Sequence, residues 1–486
     1  MNVLVWYKRD LRVEDHPALT DAVGMGAVLP VYIAEPDYWA QPDTSARQWG
    51  FIAETLAGLR RDLAGLGAPL VVRVGCAVEV LARLCRQNKI TRIISHQGAA
   101  NAWSVARDQR VAAWAREAGI EWLELSPRDE VLAAPQRVRM VAAIEPGVIP
   151  NARALRLRPD DCPHRQVGGR AQGLALLHSF LGQRGLGYRQ AIASPLGTER
   201  ACSRLSPYLT IGAISEAEVR QAVQDRLAAQ PGAEWAANLR AFQGRIAWRA
   251  HFSQTLADAP QLEHCAMDAA AGALPGRMHE GARFEAWVAG QTGLPYLDAC
   301  MRYLAATGWI NFQARAMVTA VATYHLWLDW RSVGQVLARR LTDYDPGLHW
   351  PQIQRHAGMS GGGRMRVFDP VKEALAHDPG GSFTRRWVPE LATVPDAFLQ
   401  TPWKWPQAQT VLGQRYPEPV IDLAHAARAA RAAMAGVRQA TNLAQDRPEL
   451  IEPLAAPASS PLFFDHRKAS PRRARPAPAG QLCLDL

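Results

Sequence analysis

The stretch Ser203-Arg-Leu-Ser-Pro-Tyr-Leu-Thr-Ile-Gly-Ala-Ile-Ser215 decides the fold, together with two stretches that follow it. These are Thr292-Gly-Leu-Pro-Tyr-Leu-Asp-Ala-Cys-Met-Arg302 and Thr307-Gly-Trp-Ile-Asn-Phe-Gln-Ala-Arg-Ala-Met317. In the first, serine hydroxyls and backbone N–H groups lie near a predicted helix start, where an anion is stabilised. All three stretches lie within residues 171–437, whose apolar pattern is mostly helical. The sequence therefore predicts an all-helical domain that can hold an anionic group.

Helical periodicity continues through most of residues 171–437, and one segment interrupts it. Residues 358–363 are glycine-rich, but no Gly-Lys-Ser or Gly-Lys-Thr follows them. We interpret this segment as a flexible turn and not as a phosphate loop. The predicted helices include 216–227, 236–256, 296–305 and 333–341.

Residues 1–127 alternate short β-rich runs with helical patterns, which is typical of a doubly wound parallel sheet. Such sheets bind ligands at the carboxyl ends of their strands. No G-x-G-x-x-G follows the first strand, so a Rossmann-type dinucleotide site is not predicted. The predicted strands are 3–7, 27–33, 70–74, 92–96 and 122–125, and 46–66 is helical.

The rest of the chain is predicted to be a connector and a tail. Residues 128–170 are proline-rich with little periodicity, which indicates a long interdomain connector. Residues 438–486 become polar, and the run 467–475 is too charged to fold alone, so we expect a disordered basic tail. The predicted organisation is an α/β domain over 1–127, the connector, a helical domain over 171–437 and the tail.

Composition describes an ordinary globular protein, with 48% apolar and 21% charged residues. No run of about 18 or more apolar residues is present, so no membrane span is predicted. The chain opens directly on a strand, without the pattern of an export signal, and we expect a cytoplasmic protein. The seven cysteines are scattered and form no C-x-x-C pair, which predicts reduced thiols and no metal or iron–sulfur site.

The formal charge of +10 favours a polyanionic partner, DNA or RNA. Lysines and arginines that neutralise phosphates release counterions and so stabilise such a complex. The alternative is an arginine-rich composition with a basic tail and no such partner.

The opening Val5-Trp-Tyr-Lys-Arg-Asp-Leu-Arg-Val-Glu-Asp-His-Pro-Ala-Leu19, with the three stretches above, resembles DNA photolyases and cryptochromes. The resemblance spans roughly residues 1–430, with the motifs in the expected order. It implies an α/β N-terminal doubly wound parallel sheet plus an all-α C-terminal FAD-binding domain, in a monomer. It also leaves room for a second, antenna chromophore, whose identity no motif of the first domain fixes.

The resemblance assigns the FAD diphosphate to the first of the three stretches, where hydroxyls and N–H groups suit an anion. A helix cap is the alternative role for this stretch. The residues implied to wrap the diphosphate are Cys202, Ser203, Arg204, Leu205 and Ser206.

Arg315, Asp343 and Asp345 match the arginine and the D-x-D that hold the isoalloxazine and ribose in the resembling family. A buried arginine–carboxylate pair beside a redox ring orients charge that arises on reduction. A surface ion pair is the alternative. Further implied cofactor contacts are Tyr188, Phe242 and Arg249.

His349 lies where photolyases of this family usually carry asparagine, beside flavin N5. A histidine there can donate or accept a proton and so select between anionic and neutral flavin radicals. The alternative is that a loop shift moves His349 away from N5.

Family members pass an electron to the flavin through three tryptophans, and two of these are replaced here. Trp330 matches the middle one, while Ile353 falls on the inner position and Arg277 on the outer one. The chain has 16 tryptophans, which leave detours open, with Trp350 and Trp327 as the first candidates.

The residues implied for lesion repair are only partly present. Repair of a cyclobutane dimer needs reduced flavin, a pocket for two flipped bases and polar groups on the pyrimidine edges. Trp248 matches the tryptophan on which the dimer stacks, and Arg249 follows it as in the family. Arg245 falls where dimer photolyases have glutamate, and Phe312-Gln313 falls where they have Asn-Arg.

The histidine pair of (6-4) photolyases falls on Phe312 and Ala316, so that chemistry is not predicted. Arg245 can still stabilise a radical anion or hold a phosphate. Alternatively, Arg245 pairs with an acidic neighbour in a closed pocket.

The last six residues suggest a separate partner. Gln481-Leu-Cys-Leu-Asp-Leu486 resembles the short peptide that docks into bacterial sliding clamps, through Gln481, Leu482, Leu484 and Leu486. A tethered anchor raises the local concentration at replicating DNA. An amphipathic tail without a partner is the alternative.

Three functions remain open at this point. The first is a blue-light-absorbing FAD flavoprotein that contacts DNA, with its repair residues partly replaced. The second is an active deoxyribodipyrimidine photo-lyase with a variant active site, in which Trp248, Arg245, His349 and Trp330 act. The third is a cryptochrome-type photoreceptor that signals without DNA.

Overall fold

A computed structural model of the chain describes residues 1–98, 101–126, 133–274, 276–360 and 366–443, with side chains to residue 436. Five strands of these residues form one parallel sheet in the order β3-β2-β1-β4-β5. This is the doubly wound arrangement that the sequence predicts. The strands are β1 (Asn2–Tyr7), β2 (Ala27–Ala34), β3 (Val71–Val74), β4 (Arg92–His96) and β5 (Glu121–Leu125).

Helices cover both faces of the sheet, because its central strands are apolar on both sides. Val3 and Val5 pack in one cluster, and Leu4 and Trp6 pack in another on the opposite face. Helix α3 ends where the sequence predicts, since Gly67 takes a left-handed φ of 105°. The helices of this part are α1 (Pro17–Met25), α2 (Pro36–Trp39), α3 (Ala46–Leu66), α4 (Ala77–Asn88) and α5 (Ala102–Glu117).

The connector is tied to the sheet over its described residues. The backbone of Val28 in β2 donates to Arg139, and that of Val72 in β3 donates to Pro146, each at 2.7 Å. No helix or strand is found between residues 133 and 169. The connector thus occupies hydrogen-bonding groups of the edge strand β3, which would otherwise be exposed.

The second half is helical, as predicted, with a single π-helical turn at Val321–His325. Its helices are α6 (Arg170–Gly182), α7 (Tyr188–Ala191), α8 (Pro195–Ala201), α9 (Ser206–Thr210), α10 (Glu216–Ala228), α11 (Ala233–Asp258), α12 (Ala269–Gly272), α13 (Ala282–Ala289), α14 (Pro295–Thr307), α15 (Phe312–Ala320), α16 (Trp330–Arg340), α17 (Pro346–Ala357), α18 (Pro370–His377), α19 (Ser382–Trp387) and α20 (Leu423–Leu443). Helix α20 runs past the predicted domain end at residue 437, and the rest of the predicted tail lies outside the described residues.

The turn after β1 meets the turn after α9. Leu11 N–H donates to the Ile211 carbonyl at 3.1 Å. Gly212, with φ of 65°, lies so close that an added Cβ would be 2.3 Å from the Arg9 carbonyl oxygen. This close approach brings the carboxyl end of β1 beside the helical part, and the two parts share an apolar cluster.

None of the described helices combines the length and apolar character that a membrane span needs.

Candidate flavin and nucleic-acid site

The turn between α8 and α9 holds the residues assigned to the diphosphate. Arg184 donates to the carbonyls of Cys202 and Ser203, and Gln166 Nε2 donates to the Arg204 carbonyl at 3.0 Å. Arg204 takes a left-handed φ of 61°, which is strained for an arginine. Side chains thus bind the carbonyls of this turn, and the N–H of Cys202 donates to the Thr198 carbonyl at 3.1 Å.

Arg315 and Asp343 form the buried pair that the sequence predicts. Arg315 Nη2 lies 3.2 Å from both carboxylate oxygens of Asp343, whose side chain is 5% exposed. Asp345 does not join this pair. Its carboxylate instead binds Arg249 at 2.8 Å and caps α17 through Gly347 N–H. Arg249 also binds Glu216 at 2.8 Å, so its guanidinium is held by two carboxylates.

Two buried polar atoms at the start of α15 fit a bound cofactor. Arg315 Nε and Asn311 Oδ1 have no hydrogen-bond partner among the described residues. Buried donors and acceptors are nearly always paired, so both atoms fit polar groups of a ligand. They lie on the same helix turn as the Arg315–Asp343 pair, which fits a polar ring system such as isoalloxazine.

His349 lies at this site and is a neutral imidazole. Its ring is buried, and burial lowers the pKa of His349 to about 3. Nε2–H donates to the Gly334 carbonyl at 2.8 Å. The tautomer is therefore fixed, and Nδ1 carries the lone pair. The charges of Arg315 and Asp343 act on this ring, so the three side chains share one site.

The Phe312 ring has a guanidinium and a histidine ring as neighbours. The Arg245 guanidinium is 5.2 Å from the centre of the Phe312 ring, and the His356 ring is 5.5 Å from it. Burial lowers the pKa of His356 to about 3, so that ring is neutral too. Within the described residues, Arg245 forms no ion pair with a carboxylate. The acidic neighbour considered for Arg245 is not found there.

Trp248 lies one turn after Arg245 on α11, with its ring 5% exposed. His251 and Phe252 pack against it at 5.6 and 5.4 Å, and Arg355 of α17 lies 6.0 Å from its centre. Trp248, the residue predicted to stack on a dimer, is therefore covered by its neighbours.

Three other candidates contact neighbouring side chains, and Tyr188 also lies near Cys202 and Arg245. Gln313 Nε2 donates to Glu373 at 2.8 Å, away from Arg245. Phe242 and Tyr188 form an aromatic cluster with Phe180, with Phe180–Phe242 centroids 4.7 Å apart. Phe242 is thus a packing residue of the apolar core.

A cleft opens at the carboxyl ends of β1 and β2, where the sequence predicts ligands. Arg107 binds Glu35 at 3.1 Å on one wall and lies 5.0 Å from the Trp6 ring. Aromatic and cationic side chains line the cleft, including Trp6, Lys8, Arg9, Tyr38, Trp39 and Arg107.

The comparisons with known proteins agree with this geometry. The family model for the FAD binding domain of DNA photolyase matches residues 242–436, and that for DNA photolyase matches residues 3–149. A cryptochrome DASH of Gloeobacter violaceus is 30% identical over 479 residues, covering 88% of this chain and 94% of the relative. A deoxyribodipyrimidine photo-lyase of Escherichia coli is 30% identical, covering 86% and 95%.

The chain belongs to the DNA photolyase and cryptochrome family. As a member of this family it is an FAD-binding flavoprotein, and residues 242–436 of its helical part match the FAD binding domain. A class III photolyase from Agrobacterium tumefaciens has the same fold, with a TM-score of 0.80 at 26% identity over 90% of this chain and 98% of that one. An archaeal photolyase from Sulfolobus tokodaii, solved with two FAD molecules, gives 0.74 at 26% over 90% and 100%.

Several residues of this photolyase and cryptochrome family member escaped the sequence analysis. Arg184 and Gln166 position the diphosphate turn through backbone carbonyls, a role that leaves no sequence pattern. His356 could have been found from its place on the helix of His349, since i+7 lies near the same face, whereas Arg355 at i+6 lies about a third of a turn away. Gly334 accepts from His349 and is visible only in the packing.

Asp10, His16 and His96 form a buried cluster at the ends of β1 and β4. Both histidines lie within 2.9 Å of Asp10 Oδ2. Leu19 N–H donates to His16 Nδ1, so His16 carries its proton on Nε2 and has no lone pair there for a metal. The cluster fits a hydrogen-bonded network that holds the turn after β1.

Proposed function

We propose that this chain is a blue-light-absorbing FAD flavoprotein that contacts DNA at the pocket of Arg245, Phe312 and Trp248. The observation that carries the proposal is Arg245, a cation over an aromatic ring with no ion pair in the described residues. Burial lowers the pKa of Arg245, which means that its charge is incompletely solvated. An anionic or strongly polar ligand would stabilise that charge, and a DNA phosphate or pyrimidine carbonyl supplies one.

The flavin assignment names the residues that would hold FAD. The 202–206 turn offers backbone donors to the diphosphate, and Arg315 and Asn311 offer the unpaired polar atoms described above. When bound, FAD supplies light absorption and one-electron transfer. His349, buried, neutral and fixed by Gly334, can accept a hydrogen bond from the cofactor at Nδ1.

Arg245→Gln should weaken binding of a single-stranded oligonucleotide that carries one cyclobutane dimer, by about tenfold or more. One phosphate contact fewer should also reduce the slope of log affinity against log salt by about 1. Affinity is measured by fluorescence anisotropy in the dark, at several salt concentrations. Arg240→Gln is the matched control, because Arg240 is an exposed arginine of the same helix. Equal affinity for the two variants would contradict the DNA pocket.

A second candidate function is deoxyribodipyrimidine photo-lyase activity. Trp248 favours it, since the stacking residue survives beside Arg245 and Arg355. The relatives from Escherichia coli and Vibrio cholerae bear this name. The test is dimer repair under blue light by protein whose flavin has been chemically reduced without oxygen. Turnover above dark and flavin-free controls supports it, and binding without turnover leaves the first function. Absence of both would favour the photoreceptor.

We also propose that the cleft at β1 and β2 holds a second, antenna chromophore. Its aromatic walls suit a flat ring compound, while Lys8 and Arg107 are already paired with carboxylates. Mass spectrometry of material released from the purified protein should find a second chromophore beside FAD. FAD alone, in protein purified from its native cells, would contradict this assignment.

The C-terminal peptide is proposed to dock into a sliding clamp, from a cytoplasmic monomer. The peptide lies outside the described residues, so its sequence alone supports this. Six described cysteines are free thiols, which fits a reducing compartment. A clamp pull-down unchanged by Leu484→Ala with Leu486→Ala would end the idea, and light scattering reports the mass in solution.

A further inference from the structure

Three buried aromatic rings form a continuous line away from the flavin site. The centres of the His349 and Trp350 rings are 5.2 Å apart, and those of Trp350 and Trp330 are 6.1 Å apart. Both contacts are edge-to-face, at 80° and 83°. His349 shares its surroundings with Arg315 and Asp343, so the line begins at the residues assigned to FAD.

Gly334 of α16 holds this line in place. Its carbonyl accepts from His349 Nε2–H at 2.8 Å. An added Cβ at Gly334 would lie 2.4 Å from Cζ3 of Trp350, so only glycine lets that ring pack against the helix. One residue thus fixes two of the three rings, and α16 itself begins with Trp330.

The inner and outer positions at which family members carry electron-donating tryptophans hold other residues in this chain. Ile353 is 2% exposed and aliphatic, so it offers no easily oxidised ring at the inner position. Arg277, at the outer position, lies 5.0 Å from the centre of the Trp327 ring. Trp330 keeps a buried aromatic neighbour only through Trp350 among the described ring contacts.

We propose that Trp350 takes the place of the missing inner tryptophan and, with Trp330 behind it, supplies electrons to the light-excited flavin. The proposal rests on FAD binding. One electron passes from the Trp350 ring to the flavin, and Trp330 then donates an electron to the oxidised Trp350 ring. A thiol in solution donates an electron to the oxidised Trp330 ring and loses a proton. Two such transfers oxidise two thiols to one disulfide. The two thiol protons go to solvent, and a flavin that receives both electrons would take up one proton at N5.

The outer end of the line is one side chain from solvent. The Arg331 guanidinium lies 4.7 Å from the centre of the Trp330 ring, and its side chain is 41% exposed. A dissolved thiol can therefore contact Arg331 but not the Trp330 ring. The electron from the thiol crosses the Arg331 side chain to reach that ring.

The test is photoreduction of the FAD-loaded, full-length protein in blue light with excess thiol. The loss of oxidised-flavin absorbance is followed in wild type, Trp350→Phe, Trp330→Phe and Trp350→Phe with Ile353→Trp. Trp235→Phe is the matched control, since Trp235 packs far along α11 against Arg226. Flavin content and reduction by dithionite in the dark show whether each variant remains loaded.

Photoreduction should be lost in Trp350→Phe and Trp330→Phe, unchanged in Trp235→Phe, and restored when Ile353→Trp rebuilds the inner position. Flavin fluorescence should rise in Trp350→Phe, because a neighbouring electron donor quenches it. A flavin-loaded Trp350→Phe protein that photoreduces and fluoresces like wild type would overturn the proposal. Wild-type protein without flavin would instead contradict the FAD assignment, so the two failures are distinguishable.

Discussion

Arg315→Leu should empty the FAD site and lower the free energy of unfolding by about 3–5 kcal/mol, because it leaves a buried carboxylate without its cation. Asp343 is 5% exposed at its side chain, and both of its carboxylate oxygens accept from this one guanidinium. The flavin-to-protein absorbance ratio and urea unfolding measure the two effects.

Arg386→Leu is the matched control, since Arg386 is 59% exposed and its pair with Glu199 should contribute about 1 kcal/mol or less. A double variant, Arg315→Leu with Asp343→Asn, separates the causes. It should recover stability, because the buried charge is gone, but it should not recover FAD. An Arg315→Leu protein as stable and as yellow as Arg386→Leu would contradict this account of the site.

Gly334→Ala should destabilise the fold by about 1–3 kcal/mol through overpacking against Trp350. The change goes against helix propensity, which by itself favours alanine by about 1 kcal/mol. Gly58→Ala is the control, since Gly58 lies inside α3 with no atom within 4 Å of an added Cβ. In thermal and urea unfolding, Gly334→Ala should lower the free energy of unfolding and Gly58→Ala should raise it. A Gly334→Ala protein more stable than wild type would show that the Trp350 ring shifts away from the added methyl group without loss of stability.

Much of the fold could be predicted because it depends on periodicity. Strand β4 and helix α3 have the predicted bounds, since a short β-branched apolar run marks the strand and a left-handed glycine ends the helix. The connector was predicted as a linker, yet it pairs with β2 and β3. Proline-rich sequence signals irregular backbone but does not tell whether that backbone finds a partner.

The site was predictable where a residue type carries the chemistry. The Arg315–Asp343 pair followed from the resemblance, but Asp345 pairs with Arg249 because both face the start of α17. The position of Trp350 depends on the missing side chain of Gly334, a contact between two helices that no spacing reports. Gln313 likewise turns to Glu373 because α18 offers a carboxylate within reach.

The central claim is the proposed DNA contact at Arg245, so the most direct measurement is DNA binding by the FAD-loaded protein. Dark affinity for a dimer-containing oligonucleotide is compared between wild type and Arg245→Gln, at equal flavin content. We predict salt-dependent binding that the variant weakens by about tenfold or more. Wild-type protein that carries FAD but binds the oligonucleotide no better than the variant would contradict the claim that this flavoprotein contacts DNA through Arg245.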